Sequence, residues 1–306
     1  MVDVGMLFQK MLIMVLMMAV GFVAGKAKVM TEESNHSLSV IINKITMPCM
    51  VLYSALNNEH ALSNAQVMEL VVLALASYVV LILLSKLFTL IVRPEKGHRG
   101  LYEFILIFAN QGFIGIPVIS AVYGTDAVFY LSIFIIVFFL VLYSYGTCLV
   151  QEIPMKNVDF RQMLSPMMIA SVLGLVLYLC NVRLPQILTD TIGSLSQVST
   201  PGAMLMTGAA LTAIPLKGLF RNGRLFLASA AKLLLVPIAL NLVFRLFIKD
   251  EMMLGIVTLA SAMPVASNLS LLAAQYGKDE DLAASAVFIT TVLSVVTIPL
   301  VAMLLL

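Results

Sequence analysis

Two short runs place polar side chains and prolines inside otherwise apolar sequence: Phe108-Ala-Asn-Gln-Gly-Phe-Ile-Gly-Ile-Pro117 and Ala260-Ser-Ala-Met-Pro-Val-Ala-Ser-Asn268. Proline removes a backbone donor and clashes with the turn before it, and Gly112 and Gly115 loosen the first run further. Backbone opened at membrane depth survives only where protein or a water-filled cavity satisfies it. The two runs therefore read either as kinks in ordinary helices or as a matched pair of functional breaks. The recurrence of proline beside asparagine favours the breaks. Each break starts a new half-helix whose first N–H groups lack acceptors and carry the positive end of the dipole. Two such ends suit an anionic group, most simply a carboxylate. Asn110 and Asn268 can donate and accept there without burying a charge. Gln111, Ser261 and Ser267 are further lining candidates, while Gly112, Pro117 and Pro264 shape the backbone.

Lys232 lies near the middle of another apolar run, where an ammonium costs roughly 2.5–3.5 kcal/mol. It reads as a tie to carbonyls freed by a broken neighbour or as a positive charge on the anion's path. No carboxylate reaches comparable depth; Glu69 and Glu103 come closest, within about two turns of a span end by helical rise. The usual intramembrane proton relay or cation ligand is thus missing, and sodium would have to rest on neutral oxygens. An enzyme would need paired aspartates, a Ser/His pair or a zinc-binding pattern within the spans, and none is present. His36, His60 and His98 fall in polar connectors, and Cys49, Cys148 and Cys180 read as small core residues. No metal site and no cofactor is expected.

These residues need a membrane around them. The 306 residues are 61% hydrophobic and 11% charged, against about 25% charged in ordinary soluble domains. A soluble globular protein, a disordered chain and a disulfide scaffold are excluded, and a net charge of +2 offers no field for nucleic acid. With about 20 apolar residues per span, ten candidates lie near 5–25, 38–56, 66–91, 102–123, 128–150, 163–180, 186–211, 223–247, 252–275 and 283–305. The seventh is the least regular, because Thr189–Ser199 is polar for lipid. With the N-terminus outside, the cytoplasmic connectors hold eleven basic residues and the outer ones only Arg183, Arg245 and Lys249. That asymmetry places both termini outside, in a multi-pass protein of the plasma membrane.

Sliding the chain by 153 residues brings Gly21 onto Gly174, Pro48 onto Pro201 and Leu52 onto Leu205. The same shift brings Ala121-Val-Tyr-Gly-Thr-Asp126 onto Ala274-Gln-Tyr-Gly-Lys-Asp279. Pro48 and Pro201 read as kinks that make room for other helices. Residues 1–153 and 154–306 thus form two five-span repeats, the second entering the membrane from the opposite face. Inverted repeats of this kind are typical of secondary transporters. The fold expected is all-α and integral to the membrane: ten spans in two inverted repeats, with spans four and nine broken and crossing.

The run Asn110–Pro117, ending in Tyr123-Gly124, resembles the fourth-helix motif of the auxin efflux carrier family, which includes bacterial permeases and plant PIN-type carriers. Ala262-Met-Pro264 with Tyr276-Gly277 is similar to its ninth-helix crossover, Asn43–Pro48 to its second-helix proline, and Lys232–Pro237 to its eighth-helix segment. The resemblance implies a scaffold and a transport domain, with an organic-anion site where helices four and nine cross. It places Asn110 at the position that touches substrate. Asn268 departs from the pattern by following its proline in a Ser-Asn pair. Gln151–Gln162 is only a short connector, so regulation through a long cytoplasmic loop is not expected. The function expected is a permease moving a small organic anion, most naturally outward, by alternating access. Sodium- or proton-coupled symport and an anion channel are the alternatives. The partners expected are the anion, the lipid bilayer and, as an option, a second copy in a homodimer.

Overall fold

The computed structural model describes residues 4–57, 62–153, 164–210, 212 and 222–306. His60 and the cytoplasmic bases Lys156, Arg161, Lys217 and Arg221 lie outside the described residues. The helices are α1 (Val4–Lys26), α2 (Glu32–Leu56), α3 (Asn64–Val92), α4 (Arg99–Ile107), α5 (Gln111–Tyr123), α6 (Asp126–Gln151) and α7 (Pro166–Leu179). They continue as α8 (Gln186–Ser196), α9 (Ser199–Ala210), α10 (Gly223–Phe244), α11 (Glu251–Ala262), α12 (Asn268–Gln275) and α13 (Glu280–Leu305). Among the described residues there is no strand beyond one isolated antiparallel bridge. Five helices (α2, α3, α6, α10 and α13) are long and apolar enough to cross a membrane by themselves, and shorter apolar helices occupy other apolar runs.

Side-chain caps set several boundaries. Thr31 caps α2 in a box with Ser34, with Glu32 and Glu33 in the first turn. Acids there favour the positive helix end. The second span therefore starts earlier than its apolar run, and His36 sits on the helix rather than in a connector. Asp250 caps α11 and Asp279 caps α13 in the same manner. The seventh span is two helices, α8 and α9, which meet at Gln197–Val198. Pro201 is the third residue of α9, in the first turn, where a missing N–H breaks no helical bond. Cys148 is buried as expected, but Cys49 is half-buried and Cys180 is exposed at the end of α7, correcting their reading as core residues.

Pro48, Pro117 and Pro237 each follow a five-residue π-turn by two positions: Ile42–Thr46, Gln111–Gly115 and Ala231–Leu235. A proline ring crowds the carbonyl four residues back and donates nothing to it. Widening the ladder relieves that conflict: the Met47 N–H reaches Ile42 O, and the Val236 N–H reaches Ala231 O. A fourth π-turn, Leu142–Gly146, has no proline behind it.

The chain forms two compact units. The first comprises Met1–Val71, Gly112–Ile136 and Leu164–Ile214. Here the backbones of α1 and α9 touch. A Cβ on Gly21 would fall 2.1 Å from Leu205 O, and one on Gly208 would fall 1.9 Å from Met18 O. Gly174 on α7 faces Ala55 at 3.2 Å and Leu52 at 3.8 Å, and Gly193 on α8 lies under the Tyr53 ring. The Tyr178 hydroxyl donates to Leu62 O at 3.1 Å.

The second unit comprises Val72–Gln111, Val137–Met163 and Pro215–Leu306. Gly100 lets α4 approach Leu149 of α6, and buried Asn241 of α10 donates to Thr258 Oγ1 of α11 at 2.9 Å. Glu103 is only 4% exposed, but it is held by Arg99 at 2.9 Å and by the Thr89 hydroxyl at 3.2 Å. Its charge is thus compensated in the middle of α4, by Arg99 one turn earlier and by Thr89.

Candidate functional site

The second unit holds the crossing of the two broken runs. Helix α4 ends at Ile107 and α11 ends at Ala262; beyond each, the chain extends for a few residues. The two extended segments pair with one another. The Asn110 N–H donates to Pro264 O at 2.7 Å, and the Ala266 N–H donates to Phe108 O at 3.0 Å, on either side of an antiparallel bridge between Ala109 and Val265. Each break thus satisfies the other's backbone groups, which is what hydrocarbon requires of non-helical chain. The Val265 N–H, which faces away from that pair, donates to Thr290 Oγ1 of α13 at 3.1 Å.

Aromatic packing holds the first break in place. Phe108 is fully buried, with ring centroids of Phe104, Phe138 and Tyr78 at 4.5, 5.9 and 6.2 Å. Gly146, at the end of the π-turn in α6, leaves room for that ring: a Cβ there would fall 2.8 Å from Phe108 Cζ. Lys232 is fully buried, and its Nζ donates to Leu106 O at 3.3 Å. Leu106 belongs to the last turn of α4, where carbonyls have no helical partner and attract positive charge.

Asn110 is half-buried beside this bridge, and Gln111 is buried. The Gln111 amide faces the Tyr78 hydroxyl, yet neither Gln111 Oε1 nor Tyr78 Oη makes a geometrically sound hydrogen bond. Beyond the second break, Ser267 caps no N–H with its side chain. The backbone N–H groups and side chains of Ser267 and Asn268 have no hydrogen-bond partner among the described residues, and both residues are half-buried. Uncommitted donors and acceptors therefore gather at the start of α12 and at Gln111. Ser261 is spent differently: its hydroxyl turns back to Thr258 O at 2.7 Å. Pro264 contributes its carbonyl to the pairing. Gly112 and Pro117 belong to the first unit, Gly112 with open space where a side chain would be and Pro117 buried behind its π-turn.

Thr290, Tyr78, Phe108 and Gly146 were not among the sequence candidates. The Thr290-Thr291 pair inside an apolar span was a usable signal for the first. The other three look like ordinary core residues in a sequence. Among the described residues, no cluster of three or more His, Cys, Asp or Glu could hold a metal ion.

A model for a family described as membrane transport protein matches residues 6–162 and 152–302. A protein described as an uncharacterized transporter of Methanocaldococcus jannaschii is 24% identical over 300 residues, covering 94% of this chain and 96% of the relative. The family is one of transporters and not of enzymes. With the matches extending over nearly all of a multi-pass membrane chain, the protein belongs to the membrane transport protein family, the auxin efflux carriers that the Asn110–Pro117 run resembles.

Proposed function

We propose that the protein is a secondary carrier that moves a small organic carboxylate outward across the plasma membrane by alternating access around the crossing. One observation carries the reading. At the crossing the two paired segments satisfy each other's backbone, while Gln111 Oε1 and, just beyond, the N–H groups of Ser267 and Asn268 are left without partners among the described residues. Free N–H groups at a half-helix start, with neutral amides beside them, favour an anion whose charge has to be stripped of water. Asn110 lies at the edge of the same place, and Lys232 contributes positive charge close behind it.

The ten-span inverted layout, with both termini outside, belongs to this reading. Shifting the contact of Gly21 with Leu205 by 153 residues, forward for one partner and back for the other, gives Gly174 with Leu52, which also meet. Gly124 and Gly277, 153 residues apart, both have positive φ after a tyrosine. These coincidences support two copies of one five-span plan.

The missing midplane acid supports transport without sodium. An inside-negative potential drives an anion outward with about 2.3 kcal/mol per charge per 100 mV. Cation-coupled symport draws on one observation, the buried Gln111 Oε1 with no donor. Carboxylate flux in proteoliposomes, with sodium gradient, proton gradient and potential set separately, distinguishes the two. Potential-driven, sodium-independent flux is expected. A strict sodium requirement would make the neutral lining a cation site, and absence of flux across a carboxylate panel would remove the substrate class.

A further inference from the structure

Helix α3 carries a long exposed stripe. Val72, Leu75, Val79, Leu83 and Leu90 follow one another at steps of three, four and seven residues, each 49–63% exposed. That spacing keeps them on one helix face, and their composition suits contact with lipid. Lys86 fills the gap in the stripe, three residues after Leu83 and four before Leu90, and it is itself exposed. Arg93 continues the spacing just past the helix end at Val92 and is exposed too. Neither base has an ion pair or a side-chain hydrogen bond among the described residues. The acids close to them in the chain are already matched. Glu95 pairs with Arg224 at 3.3 Å, and Glu103, bonded to buried Thr89 of α3, pairs with Arg99 at 2.9 Å. With both pairs cancelling, Lys86, Arg93 and exposed Lys96 remain as surplus positive charge at this end. A base that sets orientation needs only to lie in a connector, whereas Lys86 stands six residues inside the helix.

The depth of the two bases suits a phosphate. The 29 residues of α3 rise about 43 Å, close to a whole bilayer with its headgroups, of which hydrocarbon takes about 30 Å. Lys86, about 9 Å from the helix end, therefore starts near the hydrocarbon boundary. Its stem can run along the stripe and set the ammonium among the headgroups. Arg93 lies about 10 Å further along the axis, at the outer edge of that layer. We propose that this end of α3 is a binding site for an anionic phospholipid. The phosphate sits between the Lys86 ammonium and the Arg93 guanidinium, and an acyl chain lies along Leu90, Leu83 and Val79. Charge-assisted pairing with phosphate supplies the preference for an anion, and the apolar stripe makes the partner a lipid rather than a soluble ion. The leaflet rests on the carrier reading, whose orientation places this end inside, where anionic lipid attracts basic residues. The binding chemistry does not depend on that orientation.

The chain contains no tryptophan, so Leu90→Trp in the full-length protein puts a single fluorophore between the two bases. The protein is reconstituted in phosphatidylcholine bilayers with brominated phosphatidylglycerol or brominated phosphatidylcholine, whose chains quench tryptophan on contact. Relative quenching should show phosphatidylglycerol favoured at least about tenfold, a difference of about 1.4 kcal/mol. Adding Lys86→Gln with Arg93→Gln should lower that ratio at least about fivefold, equivalent to about 1 kcal/mol. Lys86→Arg with Arg93→Lys should keep it. Val296→Trp, exposed on α13, a helix without a basic residue, should show no preference. Excess sn-glycerol 3-phosphate should leave the ratio unchanged. Melting temperatures near the parent's verify that the exposed variants are folded. The proposal is overturned by equal quenching from the two lipids, by a smaller fall in the double glutamine variant, or by the same preference at Val296→Trp. Loss of the preference to glycerol phosphate would overturn it too, because the bases would then be taking a soluble phosphate. Absence of carboxylate flux in proteoliposomes with this preference intact would reject the carrier reading alone.

Discussion

The ammonium of Lys232 donates to the carbonyl of Leu106 at 3.3 Å, joining the π-turn of α10 to the last turn of α4 just before the chain breaks. The charge thus sits at the negative end of a half-helix. Lys232→Met keeps much of the volume and leaves Leu106 O without its donor, a loss of about 1–3 kcal/mol partly offset by removing a buried charge. If the ammonium also eases the anion's desolvation, flux should fall about tenfold, equivalent to about 1.4 kcal/mol on the barrier. Parental flux with a lowered melting temperature would restrict Lys232 to the structural tie.

Asn110 donates its backbone N–H to the crossing and keeps its side chain half-buried beside it. Asn110→Ala preserves the backbone bond, so the fold should persist. Transport or binding should weaken by at least about tenfold, as expected for leaving a buried partner unsatisfied at about 1–3 kcal/mol. Normal transport at normal expression would remove Asn110 from the site.

Thr290 supplies the acceptor for the Val265 N–H. Thr290→Val matches its shape and removes that acceptor, at a cost of about 1–3 kcal/mol. Thr290→Ser, which retains the oxygen, should cost less. Thermal unfolding of the two variants in detergent decides the matter: equal melting temperatures would mean the hydroxyl does not hold the break.

Gly21 and Gly208 allow α1 and α9 to touch backbone to backbone. Because the atom a Cβ would meet at Gly21 is a carbonyl oxygen and not a yielding side chain, Gly21→Ala must push the helices apart. Overpacking of this kind costs about 1–3 kcal/mol. Gly112→Ala meets open space by comparison and should leave the fold in place. Detergent-solubilised yield and melting temperature of the pair test the contrast.

Topology is tested separately. The eleven-to-three distribution of basic residues predicts that single cysteines added at either terminus of a cysteine-free variant react with an impermeant maleimide from outside intact cells. Protection of either terminus from that reagent would reverse the orientation.

The helices were legible in the sequence because apolar length is a strong signal: the ten apolar runs each coincide with helix among the described residues. The breaks were legible for a local reason, since proline and glycine beside an amide conflict with continuous helix. Their pairing was not, because Asn110 and Pro264 are far apart in sequence and the bonds use backbone atoms that every residue carries. Pro201 illustrates the opposite limit. Its alignment with Pro48 suggested a kink, whereas proline in a first turn starts a helix at no cost. Gln111 was identified by type alone; that its oxygen is buried without a donor depends on how Tyr78 and Phe108 fill the surrounding space.

The π-turns ahead of Pro48 and Pro237 give the chain a sense of count. Each carries one residue more than the α-helical ladder around it needs, and an α-helix rotates about 100° per residue. Removing a residue from within Ile42–Thr46 would take out that surplus and restore a plain helix with Leu52 and Ala55 still facing Gly174, whereas a deletion between Thr46 and Leu52 would turn them away. In the same manner, Asn241 would keep facing Thr258 after a deletion within Ala231–Leu235 and would lose it after a deletion between Leu235 and Asn241. The number of residues between a π-turn and the contacts beyond it is thereby fixed by rotation.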